Sequence, residues 1–219
     1  MATYKEKKYK SKNKKESNEI IDVLLDYHKD AKCGLNFNNA YELTIALILA
    51  AQCTDKRVNE ILPKFIDEFE TIENVANADI NDIIKIIKPC GYYNSKSKSI
   101  LETSKIIINE FNGSVPDNMK DLLKLKGIGR KSANIILQEC FNKTEGIAVD
   151  THVTRISRKI GFSNANSQDL IEKELMSKFD RNLYSKLNHI LVNHGRQICI
   201  ARNPKCDICP INNLCAKND

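Results

Sequence analysis

From Ile20 onwards apolar residues recur at helical spacing, and no stretch alternates apolar with polar residues for long enough to argue for a strand pair. Ile20, Ile21, Leu24 and Leu25 form an i, i+4 stripe, the pattern of an amphipathic helix. Residues 40–52 are apolar nearly all round, through Leu43, Ile45, Ala46, Leu47, Ile48 and Leu49, which places this helix at the centre of a domain. Further helices are predicted over about 55–69, 80–88, 95–111, 118–124, 130–140, 151–160, 168–178 and 183–196. Gly91, Gly113 with Pro116, Gly127 with Gly129, and Gly161 each follow such a segment and mark its end. Pro63 falls inside the 55–69 segment and predicts a kink or a boundary there. The expected class is all-α.

With 219 residues and 42% hydrophobic content, the chain can bury a real core and is too apolar for a disordered class. Its longest apolar run, Leu43 to Ala51, falls well short of the ~20 residues that span a bilayer. The opening MATYKEKKYK has no apolar stretch after its charges and does not read as a secretory signal. These features predict a soluble intracellular protein with no membrane partner. The net charge of +6 is unevenly placed: residues 1–17 hold seven lysines against two glutamates, which accounts for all but about one of the excess charges. This block is expected to be a solvated, disordered basic arm. A nonspecific attraction to nucleic acid is its sharper reading.

Four of the eight cysteines, Cys33, Cys53, Cys90 and Cys140, are scattered and read as small buried hydrophobes kept reduced inside a cell. Cys199, Cys206, Cys209 and Cys215 instead crowd together as C-x6-C-x2-C-x5-C. Four thiols within 17 residues can converge on one centre, and soft thiolates suit zinc or an iron–sulfur cluster equally. Arg202 and Lys205 lie inside this loop and Arg196 just before it; a stapled loop can present such cations to phosphates.

The segment Leu122 to Asn134 joins two predicted helices through Gly127-Ile128-Gly129. Glycines allow the backbone of a tight turn and let N–H groups approach a ligand. The second helix starts near Arg130 with its positive end toward the turn, which makes an anion site fit for a DNA phosphate. Lys120, Lys124, Lys126, Arg130 and Lys131 add five cations against Asp121. Lys131 lies in the first turn of that helix. An amine attacks carbon only when neutral, so a nucleophilic lysine must fall from an ordinary pKa of ~10.4 toward 7, a cost of about 4 kcal/mol. The helix N-terminus and neighbouring cations both push that way, while a plain phosphate contact remains the alternative role. Downstream, Asp150 in Val149-Asp150-Thr151-His152 reads as a helix N-cap, or as the proton-transfer or electrostatic partner of a lysine.

The order of these motifs resembles endonuclease III, of the helix–hairpin–helix DNA glycosylases. Leu125-Lys-Gly-Ile-Gly-Arg-Lys131, Val149-Asp150-Thr-His and the four-cysteine ending carry the likeness, with Ala50-Ala51-Gln52-Cys53-Thr54-Asp55 and Gly91-Tyr-Tyr-Asn-Ser-Lys96, over roughly residues 18–215. The resemblance implies a six-helix barrel over residues 33–143 with the helix–hairpin–helix motif at about 118–138. It implies a second helical domain from residues 18–32 and 144–219, carrying a 4Fe–4S cluster in the loop 199–215 held by Cys199, Cys206, Cys209 and Cys215. On the same footing, Lys131 is the amine nucleophile and Asp150 its carboxylate. Gln52 fills the gap left by a flipped base, and Tyr92, Leu125, Lys126, Gly127, Gly129, Arg130, Arg202 and Lys205 face DNA.

The implied activity is a combined DNA glycosylase and apurinic/apyrimidinic lyase that removes oxidised pyrimidines from duplex DNA in base excision repair, acting as a monomer. A mismatch-specific glycosylase for uracil, thymine or adenine is the rival inside the family. A noncatalytic DNA-binding iron–sulfur protein is the rival outside it. Tyr92 stands where an aliphatic wedge is usual, and Lys126 where a hairpin proline is common.

Overall fold

The computed structural model describes residues 9–218, and every regular element among them is a helix. In chain order these are α1 (Lys14–Tyr27), α2 (Ala40–Ala50), α3 (Asp55–Phe69), α4 (Ile72–Asn77), α5 (Ile80–Ile87), α6 (Tyr93–Phe111), α7 (Met119–Leu122), α8 (Arg130–Phe141), α9 (Thr151–Ile160), α10 (Gln168–Lys178) and α11 (Tyr184–Gln197). Short 3-10 turns occupy Lys88–Cys90 and the C-terminal segment. Side-chain caps set most of the starts. Asn13, Asn39, Thr54, Thr71, Asn118, Asp150 and Ser167 each accept a first-turn N–H, and Asn13 completes a capping box with Glu16. No helix among the described residues is long and apolar enough to cross a membrane.

The chain divides into two compact units: Cys33–Glu145, and the residues up to Lys32 together with those from Gly146 onward. In the first, α2 is the buried axis. Leu43, Ile45, Ala46 and Leu49 are inaccessible to solvent, and α3, α6 and α8 pack around them. In the second, Ile20, Ile21 and Leu24 of α1 meet Val153, Ile156 and Ile160 of α9 and Leu187 and Leu191 of α11.

Three expectations change. The basic arm, expected disordered over residues 1–17, is ordered in the part described. Residues 1–8 lie outside the described residues, but α1 begins at Lys14 and Lys12 is buried. The Lys12 N–H donates to the Gly161 carbonyl at 2.8 Å, and Lys178 Nζ donates to the Lys12 carbonyl at 2.6 Å and to Ser11 Oγ at 3.2 Å. Gly161 allows this approach: its φ is +88°, and a Cβ there would stand 2.6 Å from the Lys10 carbonyl oxygen. A run of like charge is thus held by backbone hydrogen bonds that charge counting does not register. Second, of the kink or boundary expected at Pro63, the boundary is absent: α3 runs through the proline, which offers no N–H to the helix. Third, the sequence pattern does not predict α4; at six residues it is too short to display a helical period.

Candidate active site and cysteine centre

Within the unit 33–145, α7 and α8 are joined by the segment 123–129, which folds back through the bonds Leu125 N–H to Leu122 O (3.1 Å) and Ile128 N–H to Leu125 O (3.2 Å). Leu125 and Ile128 are buried and pin this hairpin to the core, so the Leu125 side chain, 2% exposed, is an anchor and not a surface contact. Thr103 Oγ1 on α6 donates to the Lys126 carbonyl at 2.9 Å. Gly127 has φ +81°, and its Cα faces Ser99 and Ile48 so closely that a Cβ would meet Ser99 Cβ at 3.2 Å. Lys126 and Arg130 are exposed.

Gly129 is the extended N-cap of α8 and has no side chain to cap the first-turn N–H groups. No acidic residue enters that first turn, which carries Arg130 and Lys131 instead. Cations at a helix N-terminus oppose its dipole, and a bound anion would offset both. Lys131 is half-buried, and its charge reaches Cys33. Burial pushes the Cys33 thiol up, the Leu35 backbone pulls it back, Glu139 and Asp55 raise it further and Lys131 lowers it. The sequence pattern marks Cys33 only as packing; that the Lys131 charge acts on it is invisible to spacing.

Gln52 and Tyr92 stand in two loops with the same unusual backbone. Both are exposed with left-handed φ values of 52° and 48°, and Tyr92, 64% exposed, opens α6. Lys96 joins these loops from beneath. It is 3% exposed, and its Nζ donates to the Leu49 and Cys90 carbonyls, each at 2.8 Å. Burial pushes its pKa down, while the Cys53 and Cys90 thiols push it up. Burial, followed by the Cys53 charge, raises the Cys90 thiol. The four scattered cysteines therefore form two neighbouring pairs, Cys53 with Cys90 and Cys33 with Cys140. Sequence reasoning passes over Lys96 as the last residue of a motif segment; its burial is the signal, and a sequence does not show burial of a lysine.

Asp150 belongs to the other unit. It caps α9: Oδ1 accepts the Val153 N–H at 2.8 Å, and Oδ2 takes part in none of the described hydrogen bonds. The segment leading to it is fixed by Glu172, which accepts the Ile147 N–H at 3.2 Å, and by Asn188, which donates to the Ala148 carbonyl at 2.7 Å.

In the same unit Cys199, Cys206, Cys209 and Cys215 line one cavity between the end of α11 and the C-terminal 3-10 turns. Among the described residues no three histidine, cysteine or acidic side chains converge tightly enough to hold a single metal ion. Four thiols that line one cavity fit a multi-iron cluster, in which each iron takes its own cysteine. Burial raises the Cys209 and Cys215 thiols, and the neighbouring cysteines add to this, so a cationic centre is what allows four thiolates here. N–H donors approach three of the sulfurs. Lys217 Nζ donates to Cys206 Sγ at 3.3 Å, His194 Nε2 is 3.7 Å from Cys209 Sγ, and Arg155 Nη1 is 4.0 Å from Cys199 Sγ while donating to the Cys199 carbonyl. Arg202 and Lys205 are exposed on the loop between the first two ligands.

A glycine-turned helix pair with an open, cation-bearing helix start, together with a four-cysteine centre, defines a class: the model of the HhH-GPD superfamily of base excision DNA repair proteins matches residues 45–181. That of the iron–sulfur binding domain of endonuclease III matches residues 199–215. Endonuclease III of Rickettsia felis is 38% identical over 198 residues, 90% of this chain and 92% of its own. That of Bacillus subtilis is 36% identical over 204 residues, 93% of each. A non-covalent endonuclease III–DNA complex superposes with a TM-score of 0.90 at 33% identity, covering 94% of this chain and 97% of that one. A trapped endonuclease III–DNA covalent intermediate gives the same values. A thermostable thymine-DNA glycosylase, 24% identical with a TM-score of 0.82, shares the fold. The chain belongs to the endonuclease III family, and the four-cysteine loop is its 4Fe–4S site.

Proposed function

We propose that this protein is a bifunctional DNA glycosylase and apurinic/apyrimidinic lyase that removes oxidised pyrimidines from duplex DNA, with Lys131 as nucleophile and Asp150 as its carboxylate. The observation that carries the reading is the place of Lys131. It stands in the first turn of α8, half-buried, at a helix start that lacks a side-chain cap and carries a second cation. A lysine at such a start can meet a DNA sugar whose flanking phosphate is held by the open first-turn N–H groups. The exposed hairpin residues Lys126 and Arg130, with the Gly127–Gly129 backbone, hold the DNA phosphates. Gln52 and Tyr92, offered from their strained loops, enter the duplex where the lesion is extruded.

In the reaction the neutral Lys131 amine attacks C1′ of the extruded nucleotide, and the C1′–N bond breaks as the damaged base leaves with its electron pair. The Asp150 carboxylate offsets the positive charge that develops on the sugar and receives protons from the amine. Opening of the sugar ring gives a Schiff base between Lys131 and C1′. Loss of a C2′ proton then expels the 3′ phosphate by β-elimination, and water releases the lysine. The iron–sulfur cluster, held by Cys199, Cys206, Cys209 and Cys215, supplies a rigid support for the loop that presents Arg202 and Lys205 to the DNA backbone.

Borohydride added during reaction with a lesion-bearing duplex should trap a covalent protein–DNA adduct, and Lys131→Gln should abolish it. Normal trapping by Lys131→Gln would assign the nucleophile elsewhere. A panel of oxidised-pyrimidine, uracil, G·T and A·G duplexes separates this reading from a mismatch-specific glycosylase.

A further inference from the structure

Two histidines outside the catalytic machinery form a buried line that ends on a cluster cysteine. His28 is the C-cap of α1, held there by its N–H to the Leu24 carbonyl at 2.9 Å, and is 6% exposed. His194, on α11, is 1% exposed. Their rings meet edge to face with centroids 5.4 Å apart, and His28 Nε2 lies 3.2 Å from His194 Nδ1. On its far side His194 Nε2 lies 3.7 Å from Cys209 Sγ, while the His194 backbone carbonyl accepts the N–H of Cys199 at 2.8 Å. One residue thus touches two of the four ligands.

The order of hydrogens along this line follows from the chemistry of its ends. Burial of both rings disfavours the charged form, so each carries one N–H. A thiolate bound to iron only accepts hydrogen bonds. If the His194 proton sat on Nδ1, the Nε2 lone pair would point at the sulfur and the two would repel. With the proton on Nε2, His194 donates to Cys209, and its Nδ1 becomes an acceptor that needs a donor. His28 Nε2–H is the group within reach.

We propose that His28 is a positioning residue for the iron–sulfur cluster: its Nε2–H fixes His194 in the tautomer that donates to Cys209 Sγ and so raises the reduction potential of the cluster. Hydrogen bonds to cluster sulfurs withdraw negative charge and favour the reduced state, and second-layer donors of this kind set ligand orientation. The inference rests on the 4Fe–4S cluster being held by the four cysteines.

Iron and sulfide content with visible absorbance test that premise first: a wild-type protein without iron would refute the cluster assignment and leave the histidine geometry unexplained. In iron-loaded protein, His28→Phe keeps a flat ring and removes the donor, whereas His28→Gln places an amide N–H near the Nε2 position. The midpoint potential of His28→Phe should move to more negative values, by about tenfold in the equilibrium constant for reduction, or ~59 mV for one electron. His28→Gln should stay near wild type. Equal potentials in all three proteins, or an equal shift in both variants, would overturn the proposal. Nitrogen-15 NMR of histidine-labelled oxidised wild-type holoprotein tests the tautomer directly, even if His28→Phe assembles no cluster. His194 should be protonated on Nε2 alone, and a proton on Nδ1 would overturn the tautomer assignment.

Discussion

Lys96 donates to the carbonyl of Leu49 at 2.8 Å from a position almost closed to solvent, and its second bond, to Cys90, ties the end of α2 to the turn before α6. Gln52 and Tyr92 ride on the two segments so joined. Replacing Lys96 with methionine keeps the aliphatic stem and removes both bonds, leaving two buried carbonyls without this donor. A loss of about 2–4 kcal/mol in stability is expected, read by urea unfolding. The apparent affinity for abasic duplex should fall more than the rate at saturation, because the loops and not the lysine nucleophile are disturbed. Unchanged affinity would show that the loops keep their positions without Lys96.

Asp150 serves as a helix cap whether or not it serves in chemistry, and two substitutions separate these roles. Asparagine retains an acceptor for the Val153 N–H, now at 2.8 Å from Oδ1, and removes only the charge. Asp150→Asn should therefore change stability by less than about 0.5 kcal/mol while slowing borohydride trapping by about 10²-fold. Asp150→Ala should lose the rate and a further ~1 kcal/mol of stability. An Asn variant with wild-type trapping would leave Asp150 a cap alone.

Gly161 holds the N-terminal segment within its own unit through a contact that tolerates no side chain. Alanine at φ +88° is strained, and its Cβ would also meet the Lys10 carbonyl oxygen, which is backbone and cannot swing aside. Gly161→Ala should cost roughly 2–3 kcal/mol in thermal or urea unfolding. Deleting residues 1–13 should also destabilise, since it removes the Lys12–Gly161 bond and the Asn13 cap together. Equal stability of parent and deletion would return the arm to a purely electrostatic role.

The helices were legible because amphipathic stripes and the glycines that end them are local, as in the Ile20–Leu25 stripe of α1 and Gly161 after α9. The cysteine centre was legible because its ligands are close in sequence. What stayed hidden depends on distance along the chain. Lys96 with Leu49 and His28 with His194 are pairs separated by 47 and 166 residues, and a lysine or histidine carries no local mark of burial. Lys12 reads as solvated charge in the sequence because its partner, the Gly161 carbonyl, is backbone and belongs to no motif.

Cys140 gives the unit 33–145 an alkaline liability. Burial, then the nearby Glu139 and Cys33, push its thiol up to about 11 from an ordinary 9.0. Between these values the unfolded chain releases the proton while the folded chain holds it, so stability falls as pH rises from 9 to 11. A fully buried group with that shift would lose ~2.7 kcal/mol; for this half-buried thiol about 1 kcal/mol is expected. Cys140→Ala removes the ionisation, so the stability of the parent relative to the variant should decline by that amount between pH 8 and pH 11. Urea midpoints at the two pH values measure it, and the lysines common to both proteins, Lys96 included, cancel in the difference. A constant difference would mean that Cys140 does not hold its proton more tightly in the folded state.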